Sequence, residues 1–284
     1  MSDKSMNRPN ILVIFSDQLR RSALGCHGNR DIATPAIDAL ARSGVSFCNA
    51  CATSPICVPF RFSFMTGEYA HSRYVPGIEW RMSPVERTLA DDFNAAGYET
   101  IYVGKWHLYG GHGRWPISNA KRAGLTPIPR DHQGRWKKWL AFELRNDPFD
   151  TYYFEDDDPT PRKIEAYQTD GLCDLAMNHL RKRRKNAPPF IGVISVEPPH
   201  PPFVAPKPLM ERWKNRSVNP PLNFSVPDDV AQRRLIQNLR RYYACIENLD
   251  MNVGRLMTFL EENDLRQKTI VVFISDHGEL CGSH

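Results

Sequence analysis

Three short stretches of the chain are apolar at almost every position: residues 11–15 (ILVIF), 191–196 (IGVISV) and 269–275 (TIVVFIS). A strand covered on one face alternates apolar and polar side chains, whereas a strand covered on both faces reads as an unbroken run. These segments therefore predict strands of a parallel sheet buried between helices. Residues 99–104 (ETIYVG) form a fourth candidate. Helical signals lie between them. Thr34 precedes Pro35 at a first helical position, Ile37, Leu40 and Ala41 supply the stripe, and Gly44 closes it. Thr88, with Asp91 three residues on, forms a capping box ahead of Phe93 and Ala96, closed by Gly97. Residues 230–263 carry Leu235, Leu239, Ile246, Leu249, Val253, Leu256 and Leu260 and predict one or two helices feeding the last strand. Strands alternating with helices predict an α/β fold, a mainly parallel central sheet with helices on both faces. Residues 110–158, rich in Trp, Pro and charge, and the proline-rich residues 197–227 break the pattern. Both read as long loops over the sheet, and loops of that length in a compact domain usually carry function.

Composition narrows the class. The 284 residues are 41% hydrophobic and 24% charged, which excludes a disordered chain and leaves a core large enough to need no disulfide staples. The expected organisation is one domain over residues 8–284 behind a disordered tail, residues 1–7. No apolar run reaches the roughly 18 residues that span a bilayer. The polar start has no apolar signal-peptide core, and seven scattered cysteines suit a reducing compartment. The expectation is a soluble, cytoplasmic protein without a membrane partner. A net charge of +5 favours anions only weakly. The run Arg181-Lys182-Arg183-Arg184-Lys185 follows the stripe Leu172, Leu175, Ala176, Leu180 and reads as a helix's solvated last turn, its cations opposing the negative dipole end. No aromatic platform accompanies it, so nucleic acid is not an expected partner.

Ligands of open α/β sheets bind beyond the carboxyl ends of the strands. The first strand ends in Asp17-Gln18 and the last in Asp276-His277, together a mixed oxygen and nitrogen set for a divalent cation. Either motif alone serves equally well as a cap or turn. In Cys57-Val58-Pro59-Phe60-Arg61, Pro59 at a first helical position would place Cys57 just outside a helix N-terminus, where the dipole lowers a thiol pKa. Arg61 would add a planar fork for an oxyanion. A C-x-P-x-R match arises by chance in roughly one or two such chains per hundred, so alone it decides nothing. In Gly104-Lys105-Trp106-His107 an extended backbone would turn Lys105 and His107 to one face, a cation beside a proton shuttle. His200 stands in the proline-stiffened EPPHPP segment, either a surface imidazole or part of a site.

Together and in order, PNILVIFSDQ, GCHG, TPAIDALARSGVSFCNAC, CVPFR with FMTGEY, GYETIYVGKWHL, EPPHPPF and SDHGE resemble the sulfatase family of the alkaline-phosphatase superfamily over nearly the whole chain. The resemblance implies that Cys57 is oxidised to formylglycine by a formylglycine-generating enzyme, and that the hydrated aldehyde attacks sulfur and then eliminates sulfate. It implies one divalent cation, usually calcium, held by Asp17, Gln18, the modified Cys57, Asp276 and His277, with manganese an alternative because of the imidazole. Arg61 would orient the formylglycine, Lys105 would bind the sulfate, His107 would manage the gem-diol proton, and His200 would serve near the leaving oxygen. The implied substrate is a small-molecule sulfate ester.

Phe60 stands where the family favours serine or alanine, and Gln18 replaces a common second aspartate. The Asp-Gln with Asp-His pattern looks more like choline sulfatase and the phosphonate monoester hydrolases. Phosphonate monoesters or phosphodiesters are therefore the runner-up substrates. The resemblance further implies a segment with another active-site lysine and a C-terminal subdomain beyond His284, so a truncated, inactive anion- or metal-binding homologue is a third reading.

Overall fold

A computed structural model of the protein describes residues 8–110, 120–184, 186–224 and 228–283. The expected tail, Lys185 of the basic run, His284 and parts of both expected loops lie outside the described residues. The strands are β1 (Asn10–Ser16), β2 (Glu99–Lys105), β3 (Lys138–Phe142), β4 (Tyr152–Glu155), β5 (Arg162–Lys163), β6 (Phe190–Val196) and β7 (Thr269–Ser275), in the sheet order β5-β4-β3-β2-β6-β1-β7. All four predicted strands are present. They pair in parallel along β2-β6-β1-β7, with β3 parallel to β2 and β4 and β5 antiparallel at the edge.

The helices are α1 (Pro35–Ser43), α2 (Cys57–Thr66), α3 (Leu89–Ala95), α4 (Ala120–Ala123), α5 (Gln168–Arg181), α6 (Lys207–Trp213) and α7 (Asp229–Glu262). Thr34 and Pro35 open α1, and Thr88 and Asp91 close the capping box of α3, as their sequence pattern requires. The stretch feeding β7 is a single helix, α7, capped by the Asp228 carboxylate on the Ala231 N–H. The two expected loops are only partly loops. The first contains β3 and β4, whose Trp139 and Phe154 are buried against the sheet, and the second contains α6. Five-residue KWLAF, set among charges and tryptophans, is too short for its period to stand out from its flanks.

Successive side chains of a strand point to opposite faces, and each face has its own core. Leu12, Ile14, Ile101, Val103, Ile194 and Val196 pack with α5 and α7 on one side, while Val13, Phe15, Tyr102, Trp139, Ile191 and Val193 pack with α2 on the other. Because β1, β2, β6 and β7 run the same way, their carboxyl ends converge at one edge, and the polar residues that follow them are gathered there.

At the opposite end, Glu99 opens β2. His179 Nε2 bonds its carboxylate at 2.8 Å and Arg183 Nε at 2.7 Å, while the Arg183 guanidinium lies over Phe190. The basic run is thus not wholly solvated, since one of its arginines anchors α5 to the sheet. The hydrogen bond from His179, helped by Arg183 and opposed by partial burial, lowers Glu99 from 4.5 to about 2. A depressed carboxylate pKa stabilises the fold above 4.5, and that contribution is lost as the pH falls toward 2. Discounted for partial exposure, it amounts to roughly 1–2 kcal/mol. Glu99→Gln is expected to lose that much at neutral pH in urea titrations, with the difference from wild type shrinking below pH 4.5. An equal loss at neutral and acid pH would refute the assignment.

Candidate active site

Asp17 follows β1, Asp276 and His277 follow β7, and Cys57 opens α2. The Asp17 N–H donates to Val196 O (3.1 Å) and the Asp276 N–H to Ser16 O (3.3 Å), so both carboxylates are carried past the sheet by its own ladder. The Gln18 and His277 N–H groups each donate to Asp276 Oδ1 at 2.8 Å, which fixes that carboxylate. Gln18 has φ 64°, and the Tyr242 hydroxyl of α7 holds this left-handed turn by donating to Gln18 O (2.9 Å) and accepting from Arg20 N (2.8 Å). The Gln18 side-chain amide donates to Glu279.

Asp17, Cys57, Asp276 and His277 each offer a ligand atom, all within 4.8 Å of one another. Cys57 Sγ lies 3.3 Å from Asp17 Oδ1 and 3.2 Å from His277 Nε2, and that nitrogen lies 3.8 Å from a carboxylate oxygen of each aspartate. Two cations flank the group. Arg61 Nη2 is 3.1 Å from Asp17 Oδ2 and 3.7 Å from Asp276 Oδ2, and Lys105 Nζ is 2.7 Å from Asp17 Oδ2. The arginine is fully buried, over the Phe15 ring at 4.6 Å, and its Nη1 donates to Lys105 O and to Ser195 Oγ, both at 2.9 Å. The Tyr102 hydroxyl donates to the same Lys105 carbonyl at 2.6 Å.

Burial by itself would raise the Asp17 carboxyl, but Lys105 and Arg61 overcome it and hold it well below the usual carboxylate range. Asp276 has the opposite fate: burial and the neighbouring Asp17 charge push it up to about 7. The same Asp17 charge keeps Arg61 and Lys105 above their usual values despite burial. Burial lowers both His107 and His200, helped by the Lys105 charge, so both imidazoles are neutral at pH 7. His200 Nδ1 lies 2.6 Å from Pro201 O and must donate to it, which leaves Nε2 as the ring's acceptor.

Two expectations about geometry change. Cys57 is the first residue of α2 rather than a residue outside it, and Pro59 is the third. Its thiol is raised well above its usual value, because burial and the Asp17 charge outweigh the cations nearby. His107 has φ 54° and is not extended. It joins the cluster because its N–H donates to Glu143 O (2.9 Å), while the Glu143 carboxylate accepts from the N–H groups of Tyr109 and Gly110. Ser195, Tyr102, Tyr242, Glu143 and Glu197 belong to the site and escaped the sequence reading. For Ser195, a lone hydroxyl inside an apolar strand run was the available signal.

Several buried polar atoms lack a hydrogen-bond partner among the described residues: Asp276 Oδ2, Lys105 Nζ, Arg61 Nε and His107 Nδ1. Unsatisfied buried groups are costly, and these four around the cluster are what a site built for missing partners requires. Carboxylate oxygens with one imidazole suit a divalent cation such as calcium or manganese. The ammonium and guanidinium suit an oxyanion.

A sequence model of the family described as Sulfatase matches residues 9–284. The ulvan-active sulfatase of Formosa agariphila is 34% identical over 278 residues, covering 98% of this chain and 52% of that protein. The arylsulfatase of Clostridium perfringens is 28% identical, covering 98% of this chain and 64% of its own length. The crystal structure of the sulfatase yidJ of Bacteroides fragilis superposes with a TM-score of 0.88 at 27% identity, over 100% of this chain and 65% of that one. This chain thus spans about half to two thirds of the length of these relatives.

Proposed function

Because the chain belongs to the sulfatase family, a family of sulfuric ester hydrolases, we propose that it hydrolyses a small-molecule sulfate monoester at the Asp17–Cys57–Asp276–His277 site. The observation that carries this reading is the meeting of four candidate cation ligands with two buried cations, Arg61 and Lys105, around one potential nucleophile. A thiol pushed well above its usual pKa is a poor nucleophile at neutral pH, so this reading requires residue 57 to act in its converted form. Oxidation of Cys57 by a formylglycine-generating enzyme, which would bring its own oxidant, would supply at residue 57 a hydrated aldehyde able to act as oxygen nucleophile on sulfur, the S–O bond to the alcohol breaking and the alcohol leaving. Asp17, Asp276 and His277, with Gln18 alongside, would hold calcium or manganese, which supplies charge to the ester oxygens and acidifies the nucleophile.

This chain's own groups do the rest. Arg61, clamped by Ser195, Lys105 O and Asp17, orients the side chain of residue 57 one helical turn before it. Lys105 provides a dehydrated positive charge for the non-bridging oxygens of the ester. His107, neutral, can take a proton from the nucleophile. His200, its Nδ1 committed to Pro201 O, presents Nε2 as the position through which a proton reaches or leaves the ester oxygen.

The test is turnover by the purified full chain, co-produced with the modifying enzyme and supplied with calcium or manganese. An aryl sulfate is expected to be hydrolysed in preference to an aryl phosphonate ester, with activity lost to a chelator. Preference for the phosphonate would replace the substrate class, and metal binding without turnover of either ester would leave a non-catalytic homologue.

The ionisation of Asp276 adds a second test. A cation must displace the proton that Asp276 keeps up to about pH 7. Calcium affinity is therefore expected to fall about tenfold per pH unit below that value and to level off above it. Calorimetric titrations at acid, neutral and alkaline pH would measure this, and an affinity that does not change with pH would refute it.

A further inference from the structure

Glu197 follows β6 and is 3% exposed. Its carboxylate accepts the N–H groups of Arg145 (2.9 Å) and Asn146 (3.1 Å) beyond the end of β3, and the Gln168 amide (2.8 Å) at the start of α5. Its own N–H donates to Gln168 Oε1 at 3.0 Å, and its carbonyl accepts the His200 N–H at 2.9 Å. The carboxylate is thus locked by three segments of the fold, with Oε1 3.6 Å from Lys105 Nζ. Lys105 therefore has two carboxylates within reach, Asp17 at 2.7 Å and Glu197 at 3.6 Å, and makes no aligned hydrogen bond to either.

A fully buried ammonium cannot be left without a counter-charge. A cation on Asp17 would compete with Lys105 for the same carboxylate. Without a second partner, that competition would weaken the cation or drive the ammonium out of place.

We infer that Glu197 is a positioning residue, the second counter-ion of Lys105, which accepts the ammonium when Asp17 is engaged by a cation and so leaves it facing the ester anion. The inference rests on the proposed role of Asp17 as a cation ligand. The geometry of Glu197, held by Arg145, Asn146 and Gln168, keeps the charge in place independently of any ligand.

Glu197 also satisfies two backbone N–H groups, so a purely structural role must be told apart. The experiment is a double-mutant cycle read by calcium calorimetry on the purified full chain, with thermal melts to verify folding. In the wild-type background, Glu197→Gln, which keeps size and one acceptor oxygen, is expected to weaken calcium binding about tenfold. Lys105→Met, which removes the competitor, is expected to bind calcium at least as tightly as wild type. Adding Glu197→Gln to Lys105→Met is expected to change the affinity by less than about twofold. Equal weakening in both backgrounds, or none in either, would overturn the inference. Failure of the wild-type chain to bind calcium or manganese would instead overturn the cation reading beneath it, so the two failures are distinct.

Discussion

Cys57→Ala is expected to reduce aryl sulfate hydrolysis by on the order of 10⁴-fold or more. The size follows from the position. Cys57 Sγ touches Asp17 Oδ1 and His277 Nε2 in the cluster, and it is the one thiol of that described group. Calcium affinity should fall far less, since Asp17, Asp276 and His277 remain. A variant that retained substantial turnover would place the nucleophile elsewhere.

Gly104→Ala is expected to be the most damaging glycine-to-alanine change among the described residues. Gly104 has φ +99°, and a Cβ there would stand 2.0 Å from the carbonyl oxygen of Ser195 on the adjacent strand β6. Backbone, unlike a flexible side chain, cannot step aside, so strain in φ adds to overlap with the neighbouring strand. The expected loss is on the order of 4 kcal/mol or more, enough to abolish soluble folded protein. Expression yield and urea midpoints would measure it, and a variant within about 1 kcal/mol of wild type would contradict the packing described. The close approach also has a function: it brings Lys105 O, on the next residue, and Ser195 Oγ together as the two acceptors of Arg61 Nη1.

The legible parts of the sequence were those whose signal is local. Fully apolar strands, the Thr34-Pro35 opening and the Thr88-Asp91 box each carry their own physics within a few residues. The ends of β1, β2 and β7 were legible too, because parallel strands put their following residues in one place, and these supplied Asp17, Lys105, Asp276 and His277. What escaped depends on contacts across long separations. Tyr242, on α7, shapes the turn at Gln18, and Glu197 meets Lys105 only after three segments have packed. Electrostatics escaped for the same reason. A helix N-terminus alone would lower the Cys57 thiol, but a neighbouring Asp17 distant in sequence and burial raise it. Phe60, set against the family pattern, fits because its ring packs edge-on at 5.7 Å against Phe15, the ring over which Arg61 lies.

The asymmetry of the two aspartates gives the site its character. Asp17 is held ionised by Lys105 and Arg61 and anchors both cations, whereas Asp276 keeps its proton up to about pH 7. One carboxylate builds the cluster, and the other is the one from which a cation would have to displace a proton.

The most direct test of the account is to measure aryl sulfate turnover per molecule against the fraction of Cys57 converted to the aldehyde, read by peptide mass across preparations made with graded amounts of the modifying enzyme. A straight line through the origin is expected. Turnover that persists in chains whose Cys57 is wholly unconverted, or that is absent from chains fully converted and loaded with cation, would contradict it.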